Sequence, residues 1–224
     1  KTHAVMSQRH EDSDSLDYFP TPPWATRALF WQVLMQPQFA LFPRIEKSDD
    51  SCLEPACGGG HMVKVLREHF SKVESCDIAD YGQDRIADFL SSDVNEQYDF
   101  IITNPPFNLA EEFILKALPL AKESTAIFAR TQFIESVGRY ERLFSIDPPW
   151  RFAKFVERVP MVKGRLDKSA STATGYCWLV WLKNNSNESP ELCWVPPCRK
   201  SLERDDDYLN PTETNQQTDV FKKT

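Results

Sequence analysis

The chain has 224 residues, of which 41% are hydrophobic and 26% charged, with a formal net charge of −7. That length suits one large domain around a single core, and no apolar run approaches the ~18 residues that a membrane-spanning helix needs. The acid excess excludes a uniformly basic surface that coats nucleic acid without selectivity.

Six cysteines, at 52, 57, 76, 177, 193 and 198, are scattered rather than paired. They read as free thiols of a cytoplasmic protein, with no disulfide framework. Cys193 and Cys198 lack a second ligand pair, so no metal site is expected. His61 and His69 likewise lack a matched carboxylate and read as solvated or capping side chains.

In chain order, residues 1–16 are polar and expected to be disordered, and no apolar leader opens the chain. Pro22-Pro23 suits the first turn of a helix over Trp24–Met35. A short strand at Ser51–Glu54 enters the turn Pro55-Ala56-Cys57-Gly58-Gly59-Gly60. Met62, Val63, Leu66 and Phe70 then recur at helical spacing. Strands are expected at Val73–Asp77, around Ile86–Leu90 and at Asp99–Thr103. A helix carrying Phe113, Leu115, Ala117 and Leu118 follows, then a strand at Thr125–Arg130 and a helix over Ile134–Phe144. Strands near Phe152–Glu157 and Tyr176–Leu182 have no helix between them and should form an antiparallel hairpin at one sheet edge. Residues 184–224 read as a polar tail, leaving 17–183 as the domain. Apolar runs alternating with helical patterns indicate a mostly parallel α/β sheet.

The glycine turn between strand and helix is a nucleotide cradle, because backbone must approach a ligand where a Cβ would clash. A dinucleotide fingerprint would place its third glycine where Val63 stands. Glu54, which has no role in that fingerprint, can instead reach a ligand's ammonium group. Asp77 ends the second strand and can accept both hydroxyls of a ribose. Asp93, in Ser92-Asp93-Val94, can accept a bond from the amine of an adenine ring.

Asn104-Pro105-Pro106-Phe107 follows an apolar strand, at the strand's carboxyl end, where open α/β sheets bind ligands. Successive prolines fix φ and remove two N–H donors. The Asn104 side-chain oxygen and the Pro105 carbonyl are then able to accept both N–H groups of one amine. Two acceptors outside the ring plane favour a tetrahedral nitrogen and free its lone pair for attack, with Phe107 stacking on the ring. Pro196-Pro197-Cys198 imitates a nucleophilic cysteine loop but lies past the last strand with no partner motif.

Together these residues resemble the amino-methyltransferases of nucleic acid, in particular small phage and prophage DNA adenine-N6 methyltransferases. Leu53–Gly60 looks like their motif I, Asp77-Ile78 like motif II, Ser92-Asp93-Val94 like motif III and Asn104–Phe107 like motif IV. Phe19-Pro20-Thr21-Pro22-Pro23 looks like motif X. Gly164-Arg165, Ser171-Thr172-Ala173 and Tyr176–Trp181 also resemble this group.

The resemblance covers residues 17–183 and implies a class I, Rossmann-like seven-stranded sheet that binds S-adenosylmethionine. It implies cofactor contacts from Phe19, Thr21, Pro22, Glu54, Pro55, Ala56, Gly58, Gly60, Asp77, Ile78, Asp93, Val94 and Asn104. Catalysis would fall to Asn104, Pro105, Pro106 and Phe107, with Phe107 and Arg165 holding substrate. The partner implied is DNA, with RNA or a protein glutamine amide as alternative acceptors, or cofactor binding without catalysis. Larger members carry a separate target-recognition domain, and none is expected in the 41 mostly polar residues after Lys183. Between 125 and 170, nine Lys or Arg face five Asp or Glu, a local +4 within the total of −7. Base readout is therefore expected from the Gln132–Lys168 region, from a second subunit, or only to a slight extent.

Overall fold

A computed structural model describes residues 17–35, 47–185 and 189–208. Residues 1–16, where the disordered segment was expected, and 209–224 of the polar tail lie outside the described residues.

Eight strands form one sheet: β1 Ser48–Glu54, β2 Phe70–Asp77, β3 Arg85–Ile86, β4 Tyr98–Thr103, β5 Ala121–Arg130, β6 Arg151–Phe155, β7 Tyr176–Leu182 and β8 Glu191–Val195. Their order is β3-β2-β1-β4-β5-β7-β6-β8. Only β7 runs antiparallel to its neighbours among these pairings, seven consecutive residues of it facing β5 from Ser124↔Leu182 to Arg130↔Tyr176.

Period-two alternation builds two cores from one sheet. Phe100, Ile102, Ala126, Phe128, Trp178 and Val180 face one side, and Ile101, Ile127, Ala129, Cys177, Leu179 and Trp181 the other. The first side is covered by α1 Pro23–Ala28 and α2 His61–His69. The second is covered by α3 Ala110–Leu120, whose Phe113, Ile114 and Ala117 point inward. Pro23 sits in the first turn of α1, where a missing N–H costs nothing.

Several sequence expectations are corrected. The sheet has eight strands, not seven, because part of the polar stretch after 184 pairs with β6 in parallel. Alternation explains this: Cys193 and Val195 are buried while Leu192 and Trp194 are exposed, a half-buried edge strand that its polar surroundings disguise. The β6–β7 hairpin is therefore one strand in from the edge. The strand expected over Ile86–Leu90 shrinks to Arg85–Ile86, and the chain then turns.

The first helix changes hydrogen bonding after Ala28. Leu29–Leu34 is π-helical, and the Met35 N–H donates to the Phe30 carbonyl at 2.9 Å. The helix expected over Ile134–Phe144 is broken at Ser136, whose hydroxyl accepts the Arg139 N–H and caps the short α4, Val137–Arg139. A second short helix past the tail strand, α5 at Arg199–Leu202, packs on α1. No helix among the described residues is long and apolar enough to cross a membrane.

Candidate functional site

Strand order reverses between β1 and β4, so the chain after β1 and the chain after β4 leave on opposite faces and open a crevice between them. A cleft lies there, lined by Asp17, Tyr18 and Phe19, by Pro55 and Ala56 after β1, by Asp77, Ile78 and Tyr81 after β2, by Asp88 and Phe89 after β3, and by Asn104, Pro106, Leu109 and Phe113 after β4.

The glycine turn is held from both sides. Asp77 accepts the Gly58 N–H at 2.9 Å and the Ala79 N–H at 3.0 Å. The Tyr18 hydroxyl accepts the Gly59 N–H at 3.0 Å. Gly58 has φ +47°, and a Cβ there would lie 2.2 Å from the Tyr18 ring. The turn thus excludes side chains both by conformation and by space. Tyr81 tilts against Tyr18 with ring centroids 5.5 Å apart.

Beneath the turn, Glu54 is 1% exposed. One carboxyl oxygen accepts from the Thr103 hydroxyl at 2.5 Å and the Ala56 N–H at 3.2 Å. The other is buried with no partner. Burial pushes the Glu54 carboxyl up to about 8, reinforced by the nearby Asp77 charge and opposed by the Thr103 and Ala56 bonds. A buried carboxyl with a spare oxygen suits a ligand cation.

Asn104 is oriented without ambiguity. Its Nδ2 donates to the Phe19 carbonyl at 2.7 Å, and a carbonyl can only accept, so Oδ1 points away. That oxygen is buried and has no hydrogen-bond partner among the described residues. The Phe107 N–H donates to Asp17 at 2.8 Å, fixing the loop exit. The Phe107 ring lies 5.2 Å from Phe19 and 6.3 Å from Tyr176, and the Arg130 guanidinium lies over it at 3.9 Å. Arg130 also hydrogen-bonds the Tyr176 side chain.

Of the residues named from sequence, Phe19, Pro55, Ala56, Asp77, Ile78, Asn104 and Pro106 line the cleft, with Phe107 beside it. Glu54 lies below the turn, and Pro105 is buried in the loop. Gly58 sits beneath the Tyr18 ring, and Gly60 turns its N–H to the Cys57 carbonyl. Thr21 and Pro22 are buried at the start of α1, outside the cleft lining.

Asp93 and Val94 do not come together with these residues: Asp93 is exposed, Val94 is 2% exposed in the core beside Phe89, and neither lines the cleft. Asp88 and Phe89 stand there instead, because β3 ends four residues earlier than expected. Arg165 is also off the lining: it is exposed and pairs with Asp167 at 3.3 Å. Its neighbour Gly164 donates its N–H to the Tyr18 carbonyl at 2.8 Å, tying that loop to the site.

Sequence reading missed Asp17, Tyr18, Tyr81, Thr103 and Arg130. Only Tyr18, adjoining Phe19-Pro20, offered a signal. His61 and His69 are not solvated: burial lowers each to about 4, and His69 stacks on Phe30 at 3.8 Å. All six cysteines are buried, and no group of metal-ligating side chains occurs among the described residues.

No family model and no curated protein matches the chain. Solved structures do match in fold. A Listeria monocytogenes protein described as a class I S-adenosylmethionine-dependent methyltransferase superposes with TM-score 0.53 at 14% identity, over 92% of this chain and 72% of that one. A Vibrio vulnificus protein described as a modification subunit of a type I restriction enzyme gives 0.54 at 13% identity, over 92% and 53%. The M protein of the type I restriction enzyme EcoKI gives 0.55 at 14%, over 91% and 54%. The chain thus spans about half the length of the two modification proteins. It has the class I methyltransferase fold, extended by an eighth strand.

Proposed function

We propose that this chain transfers a methyl group from S-adenosylmethionine to the exocyclic N6 amine of adenine in DNA. The observation that carries the reading is the buried, partnerless Asn104 Oδ1 in a doubly proline-stiffened loop at the switch point of this fold. Leaving such an acceptor unpaired costs about 1–3 kcal/mol. A substrate donor removes that cost.

The residues present fit the cofactor. The spare Glu54 oxygen suits the ammonium of a methionine, Asp77 retains lone pairs for ribose hydroxyls, and Asp88 with Phe89 suits the amine edge and face of an adenine ring. Bound S-adenosylmethionine would supply a methyl group on a sulfonium, its carbon–sulfur bond breaking to leave a neutral thioether while the proton of the methylated amine goes to water. Asn104 Oδ1 and the Pro105 carbonyl accept the two amine hydrogens and hold the nitrogen out of conjugation. Phe107 carries the base. No general base is required of the protein. A base within a duplex is extruded to reach this loop. The Asn104 orientation is imposed by the Phe19 carbonyl, so the acceptor is set before substrate arrives.

The test is Asn104→Ala. With labelled cofactor and separate DNA, RNA and protein acceptors, transfer to DNA should fall by at least about a hundredfold, while calorimetric cofactor affinity stays within about twofold of the parent chain. Wild-type labelling of RNA or protein in place of DNA overturns the choice of acceptor. Full activity in the variant overturns the acceptor mechanism.

A further inference from the structure

Beside the acceptor loop, where β5, β6 and β7 end together, a group of cations lies with no carboxylate among the described residues paired to it. The space that a side chain at Gly175 would fill is bordered by the Lys154 ammonium, the Thr131 hydroxyl and the Arg158 guanidinium, at 2.8, 2.9 and 3.5 Å from the missing Cβ position. Lys154 donates to the Tyr176 carbonyl at 3.3 Å and Arg158 to the Ala173 carbonyl at 2.9 Å. Among the described residues neither forms an ion pair, and the Thr131 hydroxyl is buried with no partner. Glu157, the carboxylate adjacent in sequence, is turned away and accepts the Cys198 and Arg199 N–H groups at 2.8 and 2.6 Å. One residue further along β7, Tyr176 meets Arg130, whose guanidinium covers Phe107.

We infer that Lys154, Arg158 and Thr131 form an anchor for one phosphodiester of the strand whose base rests on Phe107, with Arg130 as the lid that the base displaces. The inference rests on the function proposed above and narrows it to polynucleotide acceptors, since a glutamine side chain brings no anion. Like charges are held together here against their mutual repulsion: burial and the neighbouring Arg158 both lower the Lys154 ammonium from its ordinary range. An entering phosphate relieves that repulsion and gives the Thr131 hydroxyl an acceptor. The absent side chain of Gly175 lets the Lys154 ammonium and the Thr131 hydroxyl come this close to the backbone and to each other. Phosphate contacts of this kind position a strand without reading its sequence. An acidic chain can therefore hold nucleic acid through one local basic face.

The experiment uses the full chain with cofactor and fluorescein-labelled random-sequence probes of roughly 20 nucleotides or base pairs: duplex DNA, single-stranded DNA and RNA. Anisotropy is recorded across a salt series. Each phosphate contact contributes about −0.9 to the slope of log affinity against log salt on duplex and about −0.7 on a single strand. Lys154→Gln with Arg158→Gln should remove that one contact, reducing the steepness by about 0.9 on duplex and about 0.7 on a single strand, and weaken binding by about tenfold or more. Lys154→Arg with Arg158→Lys should keep the slope. Unchanged calorimetric cofactor affinity in both shows the fold intact.

A slope unchanged by the double glutamine variant, in a chain whose wild type methylates DNA, overturns the anchor and leaves the function standing. The expected loss of slope in a wild type that transfers no methyl group supports the anchor and overturns the function. A loss seen with RNA alone supports a phosphodiester anchor and overturns DNA as its source. Absence of any strand binding overturns both.

Discussion

Glu54 illustrates how one buried atom couples binding to pH. Its carboxyl is pushed from an ordinary 4.5 up to about 8. Between those values the folded apoprotein holds a proton that the unfolded chain has released. The stability from this group is therefore complete below 4.5 and lost as the pH rises through about 8. A ligand ammonium beside the spare oxygen reverses the preference and expels the proton. Calorimetry near neutral pH, in buffers of different ionisation enthalpy, should record up to about one proton released on cofactor binding. Glu54→Gln should release none and should lose the apoprotein's stability slope over that pH window. An identical proton count in the variant would place the ammonium elsewhere.

Among the elements, the tail beyond β8 proves structural. Arg27 of α1 is 1% exposed and pairs with Asp207 at 2.8 Å and with Glu68 of α2 at 2.8 Å, while its NH1 group also donates to the Leu202 carbonyl of α5. Asp207→Ala leaves a buried guanidinium short of one partner. It should cost about 3 kcal/mol and lower Tm by roughly 6–12 °C in a chain of this size. The neighbouring Asp206 meets Lys64 at 2.6 Å with side chains 56% and 28% exposed. Asp206→Ala should cost under about 1 kcal/mol. Urea unfolding of both variants checks the contrast, and equal losses would count against it. The element pattern was largely legible because strands such as Asp99–Thr103 and Tyr176–Leu182 are buried and apolar. β8 was hidden because only Cys193 and Val195 of its five residues are buried. β3 was overestimated because apolar residues after Ile86 serve a turn that packs Phe89 inward.

At the scale of the molecule, the acceptor slot lies between walls contributed by opposite ends of the chain. Phe19 comes before α1, Phe107 follows β4, and Arg130 and Tyr176 sit where β5 meets β7. On the function proposed above, a base reaches that slot only by leaving its stack, which costs a few kcal/mol and less at a mismatch. Duplexes with the target adenine mispaired should therefore be methylated with kcat/KM raised by about tenfold over the matched duplex. Equal rates on the two would remove extrusion from the mechanism. The basic stretch foreseen from charge counting between 125 and 170 is real, but the fold divides it. Arg139 and Arg142 pair with Glu111 on the α3 side, while Lys154 and Arg158 gather near Gly175.

Sequence alone determined the parallel α/β sheet, the glycine turn and the placement of Asn104 at a strand end, because each depends on local periodicity or on restricted φ at glycine and proline. Tertiary structure alone decided which carboxylate faces the cleft. Asp88 lines it and Asp93 does not, because β3 ends early and the turn after it packs Phe89 inward. It alone decided that Asn104 keeps an oxygen free, since that follows from a Phe19 carbonyl 85 residues away. Local sequence sets backbone shape, but an unpaired buried atom and an unbalanced cation cluster exist only where distant segments pack together.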